Sequence, residues 1–145
     1  MPVTRNNWQR SKEGLGVWEH RGKVAVAGVG HSPLDRRWDG KNLAKSLGAY
    51  SILACRKAIE DSGINPDEID GIITSTETLG DPWGPRPYFE APYDSEDGLT
   101  IVTNNWMLEN FKELSNVTFA PDGVPDIGEG LGMAAQAVAE GKCKV

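Results

Sequence analysis

Two cysteines are the strongest nucleophiles that this sequence offers. Cys55 falls in the middle of a predicted helix, among apolar positions where a thiol is usually inert. Cys143 falls in a predicted strand, and the lysines on either side of it point to the opposite face of that strand. A catalytic thiolate needs a helix N-terminus or a nearby cation to lower its pKa. We therefore predict that neither thiol is a nucleophile, and two cysteines make neither a disulfide framework nor a metal cluster.

The stretch GVGHSP invites comparison with a dinucleotide-binding turn, because Gly28 and Gly30 follow a predicted strand. That fingerprint needs a third glycine where this chain has Pro33, and it needs a helix that opens at once. We interpret the glycines as small residues at a strand end. His31 stands where ligands often bind in open α/β sheets, but a histidine with no visible partner is more often structural or solvated.

The charge of the chain excludes several classes of partner. Its 145 residues include 15 basic and 21 acidic side chains, for a net charge of −6 and no basic stripe. Nucleic acid and anionic membrane surfaces are therefore excluded as partners. The N-terminus lacks the apolar stretch of a signal peptide and no apolar run is long enough to span a membrane, so we expect a cytoplasmic protein.

The elements that would position these residues alternate between strand and helix. The run KVAVAGVG, residues 23–30, is apolar and partly β-branched, which is typical of a buried strand. Apolar residues at spacings of three and four predict a helix over 43–62, with Gly63 ending it and Asn65 capping a short turn. A second strand is predicted at 71–76. This order predicts an α/β fold with a parallel crossover.

The remaining chain divides into three predicted parts. Residues 1–22 read as an N-terminal arm, and residues 77–100 as an inserted loop rich in prolines, aromatic residues and acids, which suits an interface. The acids around residue 94 lack the spacing of a calcium loop. A strand at 99–103 and a helix at 106–114 follow. The last stretch, GEGLGMAAQAVAEGKCKV, predicts a glycine-rich helix over 128–141 and the start of a further strand.

Taken together, the runs KVAVAGVGHSPL, AYSILACRKAIEDSGINPDEIDGIITST and GEGLGMAAQAVAEGKCKV resemble the N-terminal part of the thiolase superfamily. The resemblance is closest to sterol-carrier-type thiolases and thiolase-like lipid-transfer proteins. It covers residues 23–145 and implies the N-terminal portion of a thiolase-like α/β fold, a β-α-β core with a long inserted loop, incomplete on its own. We therefore expect the rest of that fold, in the same or another chain, and a thiolase-type dimer.

The resemblance also implies chemistry. Thiolases carry their nucleophilic cysteine at the start of the central helix, where this chain has none. Cysteine-free relatives imply retro-aldol cleavage of a β-hydroxyacyl-CoA in steroid or aromatic side-chain catabolism, often with a small partner that has a zinc ribbon and an OB-fold. Acyl-CoA would be the substrate, with no cofactor or metal in this chain. Asp126 and Glu129 lie in the nucleophile region and would act as base or orient one, with Gly128 and Gly130 against the substrate.

Two alternatives stay open beside the lyase. The chain would otherwise be a subunit of a thiolase acyltransferase, or a non-catalytic thiolase-like carrier or scaffold. Acids in the first turn of a helix also have a simpler explanation, since they complement the helix dipole. Because the final run ends as a buried strand begins, we expect a fragment or split subunit rather than a complete domain.

Overall fold

The computed structural model describes residues 18–34, 42–74, 102–121, 124 and 127–145. These described segments contain three α-helices: α1 (Leu47–Ser62), α2 (Asn104–Asn110) and α3 (Ile127–Ala139). Two short 3₁₀ turns, Leu43–Lys45 and Pro66–Glu68, stand before and after α1. Among these described segments, no helix has both the length and the apolar character needed to cross a membrane.

Local signals fix the ends of α1. The Ser46 hydroxyl accepts a hydrogen bond from the Ala49 N–H at 3.2 Å and caps the helix. This cap separates α1 from the 3₁₀ turn before it, so the single helix predicted from residue 43 is divided in two. Gly63 ends α1 with a φ of 67°, as predicted, because glycine adopts the left-handed region without a steric penalty. The Asn65 side chain caps the next turn by accepting from the Asp67 N–H at 3.2 Å, also as predicted.

The predicted α/β fold is wrong for the described part of the chain, which is helical and contains no strand. A strand exists only where a ladder of hydrogen bonds joins it to a neighbour. The run 23–30 forms no such ladder, and Gly71 makes only an isolated parallel bridge with Phe119. The β-α-β core expected for residues 23–145 is therefore not formed within the described segments. Residues 75–76 and 99–101, which belong to two other predicted strands, lie outside the described residues.

The run 23–30 lies along α1 instead of in a sheet. A Cβ placed on Gly28 would meet Ala58 and Ser62, whereas one placed on Gly30 would meet Ala54 and Ala58. Moving two residues along the run, from Gly28 to Gly30, shifts the contact by four residues of α1, which is about 6 Å at about 1.5 Å per helical residue. The run therefore rises about 3 Å per residue, which is close to the rise of a β-strand. The run is therefore extended and antiparallel to α1.

The core forms around α2 and the residues that follow it. Met107, Phe111 and Leu114 are buried together, and the half-buried Ile52, Cys55 and Ile59 of α1 pack against them. The helix predicted over 106–114 starts earlier, because the Thr103 hydroxyl caps it, and it ends at Asn110. Apolar side chains after the helix end still point into the core, which explains why the sequence pattern extends to Leu114.

A central segment, Asp70–Ile72, joins distant parts of the chain. On one side the Ile72 N–H donates to the Phe119 carbonyl at 2.8 Å. On the other side the Gly71 N–H donates to the Val145 carbonyl at 2.9 Å. The Asp70 carboxylate accepts from the N–H groups of Lys144 at 2.7 Å and of Val145 at 3.0 Å. This segment therefore fixes the position of residues 142–145 after α3.

Candidate functional site

The first turn of α3 contains a close approach at one glycine. A Cβ added to Gly130 would lie 3.3 Å from Cγ1 of Val124 and 3.4 Å from Cγ2 of Ile73. Gly130 is buried, whereas Gly128 and Glu129 before it are exposed. Small residues in α3 thus permit the helix to pack closely at its start, and the opening two residues face outward.

Of the two predicted catalytic residues, the structure describes Glu129 and not Asp126. Glu129 stands in the first turn of α3 and its carboxylate is exposed. Asp126 lies outside the described residues, so the structure does not test whether the two carboxylates come together. The assignments of Glu129 and Asp126 as catalytic groups, and of Gly128 and Gly130 as substrate-binding residues, stay predictions.

An apolar cleft of about 610 Å³ opens between α1, α3 and the extended run. Its walls are the end of α1 at Ala58–Ser62, the run 23–28, and a helical stripe on α3. Spacings of three and four place that stripe on one face of α3, formed by Leu131, Ala134, Ala135 and Val138. Among the described lining residues, the titratable side chains are those of Lys23 and Lys144. The cleft can therefore hold apolar groups beside positive charge, but these residues offer no carboxylate or imidazole base.

Both thiols lie in surroundings that disfavour the thiolate. Burial raises the pKa of the Cys55 thiol, which lies in the middle of α1. Burial, and then the negative charge of Asp70, raise the pKa of the Cys143 thiol. Cys143 packs so closely on the central segment that a Cβ at Gly71 would lie 3.0 Å from its Sγ. Both side chains are packing groups with weak nucleophilicity at neutral pH.

The two histidines occupy different surroundings. His31 is exposed, and its Nδ1 lies 3.0 Å from the Ser32 carbonyl oxygen. His20 packs edge-on against Trp18, with ring centroids 5.5 Å apart. The Trp18 indole N–H in turn donates to the Gln136 side-chain oxygen at 2.7 Å. The Trp18 hydrogen bond attaches the turn at residues 18–23 to α3 beside the cleft, and His20 packs within that turn. His31 is exposed and lies outside this turn.

Sequence reasoning missed two residues that organise this region. Asn104 is buried, accepts from the Thr74 N–H at 2.8 Å and donates to the Pro121 carbonyl at 2.7 Å. Asp70 binds the two N–H groups of residues 144 and 145 described above. The position of Asn104, within an apolar stretch and just after Thr103, could have indicated a structural role. A side-chain amide that is buried in such a stretch must form hydrogen bonds. For Asp70 no local signal existed, since its partners are over 70 residues away.

Within the described segments, no group of three or more His, Cys, Asp or Glu side chains is placed to hold a metal ion. Lys23 and Lys144 are the cationic groups at the cleft, and they suit an anionic ligand or partner. Comparison of the chain with protein-family models, with curated proteins and with solved structures finds no match.

Proposed function

We propose that this chain is one part of an enzyme that cleaves β-hydroxyacyl-CoA thioesters by a retro-aldol reaction. The observation that carries the proposal is the state of the two thiols: Cys55 is half-buried, Cys143 is buried, and burial raises the pKa of both. Acyl transfer by a thiolase needs a reactive thiolate, whereas retro-aldol cleavage needs only a base and stabilisation of an enolate. The residue patterns that resemble thiolase-like proteins supply the substrate class, and the contacts of the thiols favour the lyase over the acyltransferase.

The proposed reaction is balanced without a redox cofactor. A base removes the proton of the β-hydroxyl group, and the bond between Cα and Cβ breaks. Its electron pair moves to the thioester as an enolate, which is then protonated, and an aldehyde or ketone leaves. N–H groups at the start of α3 would stabilise the enolate oxygen, and Glu129 or Asp126 would act as the base. The two unpaired cysteines suit the reducing cytoplasm as the place of this reaction.

The assay uses the full chain together with the polypeptides that co-purify with it. A β-hydroxyacyl-CoA is added, and the shortened acyl-CoA and the carbonyl product are followed by mass spectrometry. We expect cleavage that persists in the Cys55→Ala, Cys143→Ala double variant. Loss of turnover in a folded double variant, or transfer of the acyl group to free CoA in place of cleavage, would contradict the lyase.

Variants in α3 separate a base from a helix cap. A general base contributes about 10²–10⁴ in rate, so Glu129→Gln should lose that much turnover with an unchanged melting temperature. If Glu129 only complements the helix dipole, the variant loses about 0.3–1 kcal/mol of stability and keeps its turnover. Asp126→Asn is tested in the same way. Glu140→Gln, just after the end of α3, is the matched control and should turn over normally.

A non-catalytic scaffold is the second candidate function. It is favoured by the described lining of the cleft, whose titratable side chains are two lysines. Under this alternative the chain binds its partners, and neither Glu129→Gln nor Asp126→Asn changes the activity of the assembly. Normal turnover in Glu129→Gln and Asp126→Asn alike would therefore support the scaffold.

A further inference from the structure

The extended run 23–30 is covered on one face only. Gly28 and Gly30 face α1, so the odd-numbered residues between and beside them face the other way. Ala25 and Ala27 are exposed, and Val29 is 75% exposed. Val26, on the face that carries the glycines, is nevertheless 84% exposed, because it reaches past the end of α1. An apolar extended run with this exposure has the character of an unpaired edge strand.

The backbone of the middle of the run, residues 24–28, is also unpaired among the described residues. The Val29 N–H donates to a carboxylate oxygen of Asp61 at 2.9 Å. For residues 24–28, none of the hydrogen bonds of the described segments uses a backbone N–H or carbonyl group. These five residues border the cleft. They therefore present a row of alternating backbone donors and acceptors. An extended polypeptide can form hydrogen bonds with these groups, whereas an apolar small molecule cannot.

The size of the cleft fits a short extended segment. A strand residue in a packed layer takes up about 160 Å³, from a rise of about 3.3 Å, a strand spacing of about 4.8 Å and a layer thickness of about 10 Å. The cleft volume of about 610 Å³ thus corresponds to roughly four such residues. A segment placed beside residues 24–28 would have α1 on one face and the Leu131–Val138 stripe of α3 on the other.

From these observations we infer that the cleft is an acceptor site for an extended segment of a different polypeptide, which pairs with residues 24–28. The inserted segment carries apolar side chains on both faces, because α1 and α3 supply apolar walls. It carries acidic residues, because the charged side chains among the described lining residues are those of Lys23 and Lys144. A second copy of this chain is a poorer occupant, since its own exposed run already forms a wall of its own cleft. This inference does not depend on the acyl-CoA reaction.

Synthetic peptides test the acceptor site on the full chain. The probes are the acetylated and amidated peptides EVTVTVE and EIAIAIE, and matched versions with methyl groups on alternate backbone nitrogens. Binding is measured by isothermal titration, and hydrogen exchange locates it. We expect slower exchange of the amides of residues 24–28 with at least one probe. Methylation should weaken binding at least tenfold, because it removes backbone hydrogen bonds and keeps the apolar side chains.

Variants of α3 and a lipid ligand complete the test. Ala135→Phe fills the cleft from the α3 side and should weaken peptide binding at least tenfold, whereas Gly132→Ala, where an added Cβ meets no atom within 4 Å, should leave it unchanged. Dodecanoyl-CoA is titrated in parallel. The inference is overturned if neither peptide binds, if the methylated peptides bind as well as their parents, or if only dodecanoyl-CoA binds in the cleft.

Discussion

Replacing Gly28 by alanine tests the contact between the extended run and α1. The added Cβ would lie 2.7 Å from the backbone nitrogen of Ser62 and 2.9 Å from its Cβ, and would also meet the carbonyl oxygen of Ala58. Side-chain carbons essentially never approach other heavy atoms within 3.0 Å, so either the run or the helix must shift. Overpacking of this kind costs about 1–3 kcal/mol. Alanine also restricts the unfolded chain, which stabilises the folded state by about 0.4–1 kcal/mol. The net loss is therefore between about 0 and 2.6 kcal/mol, with a central value of about 1.3 kcal/mol.

Urea denaturation measures this loss directly. The free energy of unfolding is extrapolated to water for Gly28→Ala and for the natural chain, and the midpoint should fall without a change in slope. Gly132→Ala is the matched control, because its new Cβ meets no atom within 4 Å. In the interior of α3 this second change should stabilise the chain by about 0.5–1 kcal/mol. The same chemical change is therefore expected to have opposite signs at the two sites.

The run could relieve the clash by moving away from α1 without unfolding the core. That movement would break the bond of 2.9 Å between the Val29 N–H and the Asp61 carboxylate, and the Val29 amide would then exchange faster. A Gly28→Ala chain that keeps both its free energy of unfolding and the protection of the Val29 amide would refute the close packing.

Three further predictions concern residues outside this contact. Asn104→Ala should cost about 1–3 kcal/mol in urea denaturation because it leaves buried groups unpaired, and Asn104→Asp should cost more, since a carboxylate cannot donate to the Pro121 carbonyl. Hydrogen bonds from the N–H groups of residues 145 and 144 lower the pKa of Asp70 from its ordinary 3.8, so the ionised form stabilises the folded chain above that pH. The stability difference between the natural chain and Asp70→Asn should thus be largest near neutral pH and shrink as acid protonates the folded carboxyl. Iodoacetamide should alkylate Cys55 and Cys143 slowly in the folded chain at pH 8 and much faster in urea, because burial raises the pKa of both thiols; equal rates would contradict this.

The ends of helices could be predicted from sequence where the signal is local. Gly63 ends α1 and Asn65 caps the next turn, because each acts through its own backbone or side chain within a few residues. The cap at Ser46 was missed, although serine is a common cap, because the apolar spacing continues through it to Leu43. Thr103 was missed for a related reason, since it lay inside a predicted strand.

The strands could not be predicted in this way, because pairing is not a property of the run itself. Residues 23–30 have the composition of a strand and are extended, but their described neighbour is a helix rather than a second strand. The cleft is equally non-local, since Trp18, Ala58 and Val138 all line it from distant parts of the chain. The α3 stripe has an amphipathic spacing, but spacing alone does not show which face borders open space.

The bonds of the central segment also determine the order in which this chain can fold. Helix α1 depends on neighbours four residues away, whereas Asp70 depends on residues 48 and 75 positions further along. Contacts of such separation slow folding, so the chain should fold more slowly than its helical content suggests. At roughly 5–20 residues per second, a ribosome needs about 4–15 s to make the 75 residues between Asp70 and Val145. The hydrogen bonds of Asp70 to residues 144 and 145 can form only after that interval, whereas the α2 partners of α1 are made earlier. The core around α2 can therefore form before the central segment is complete.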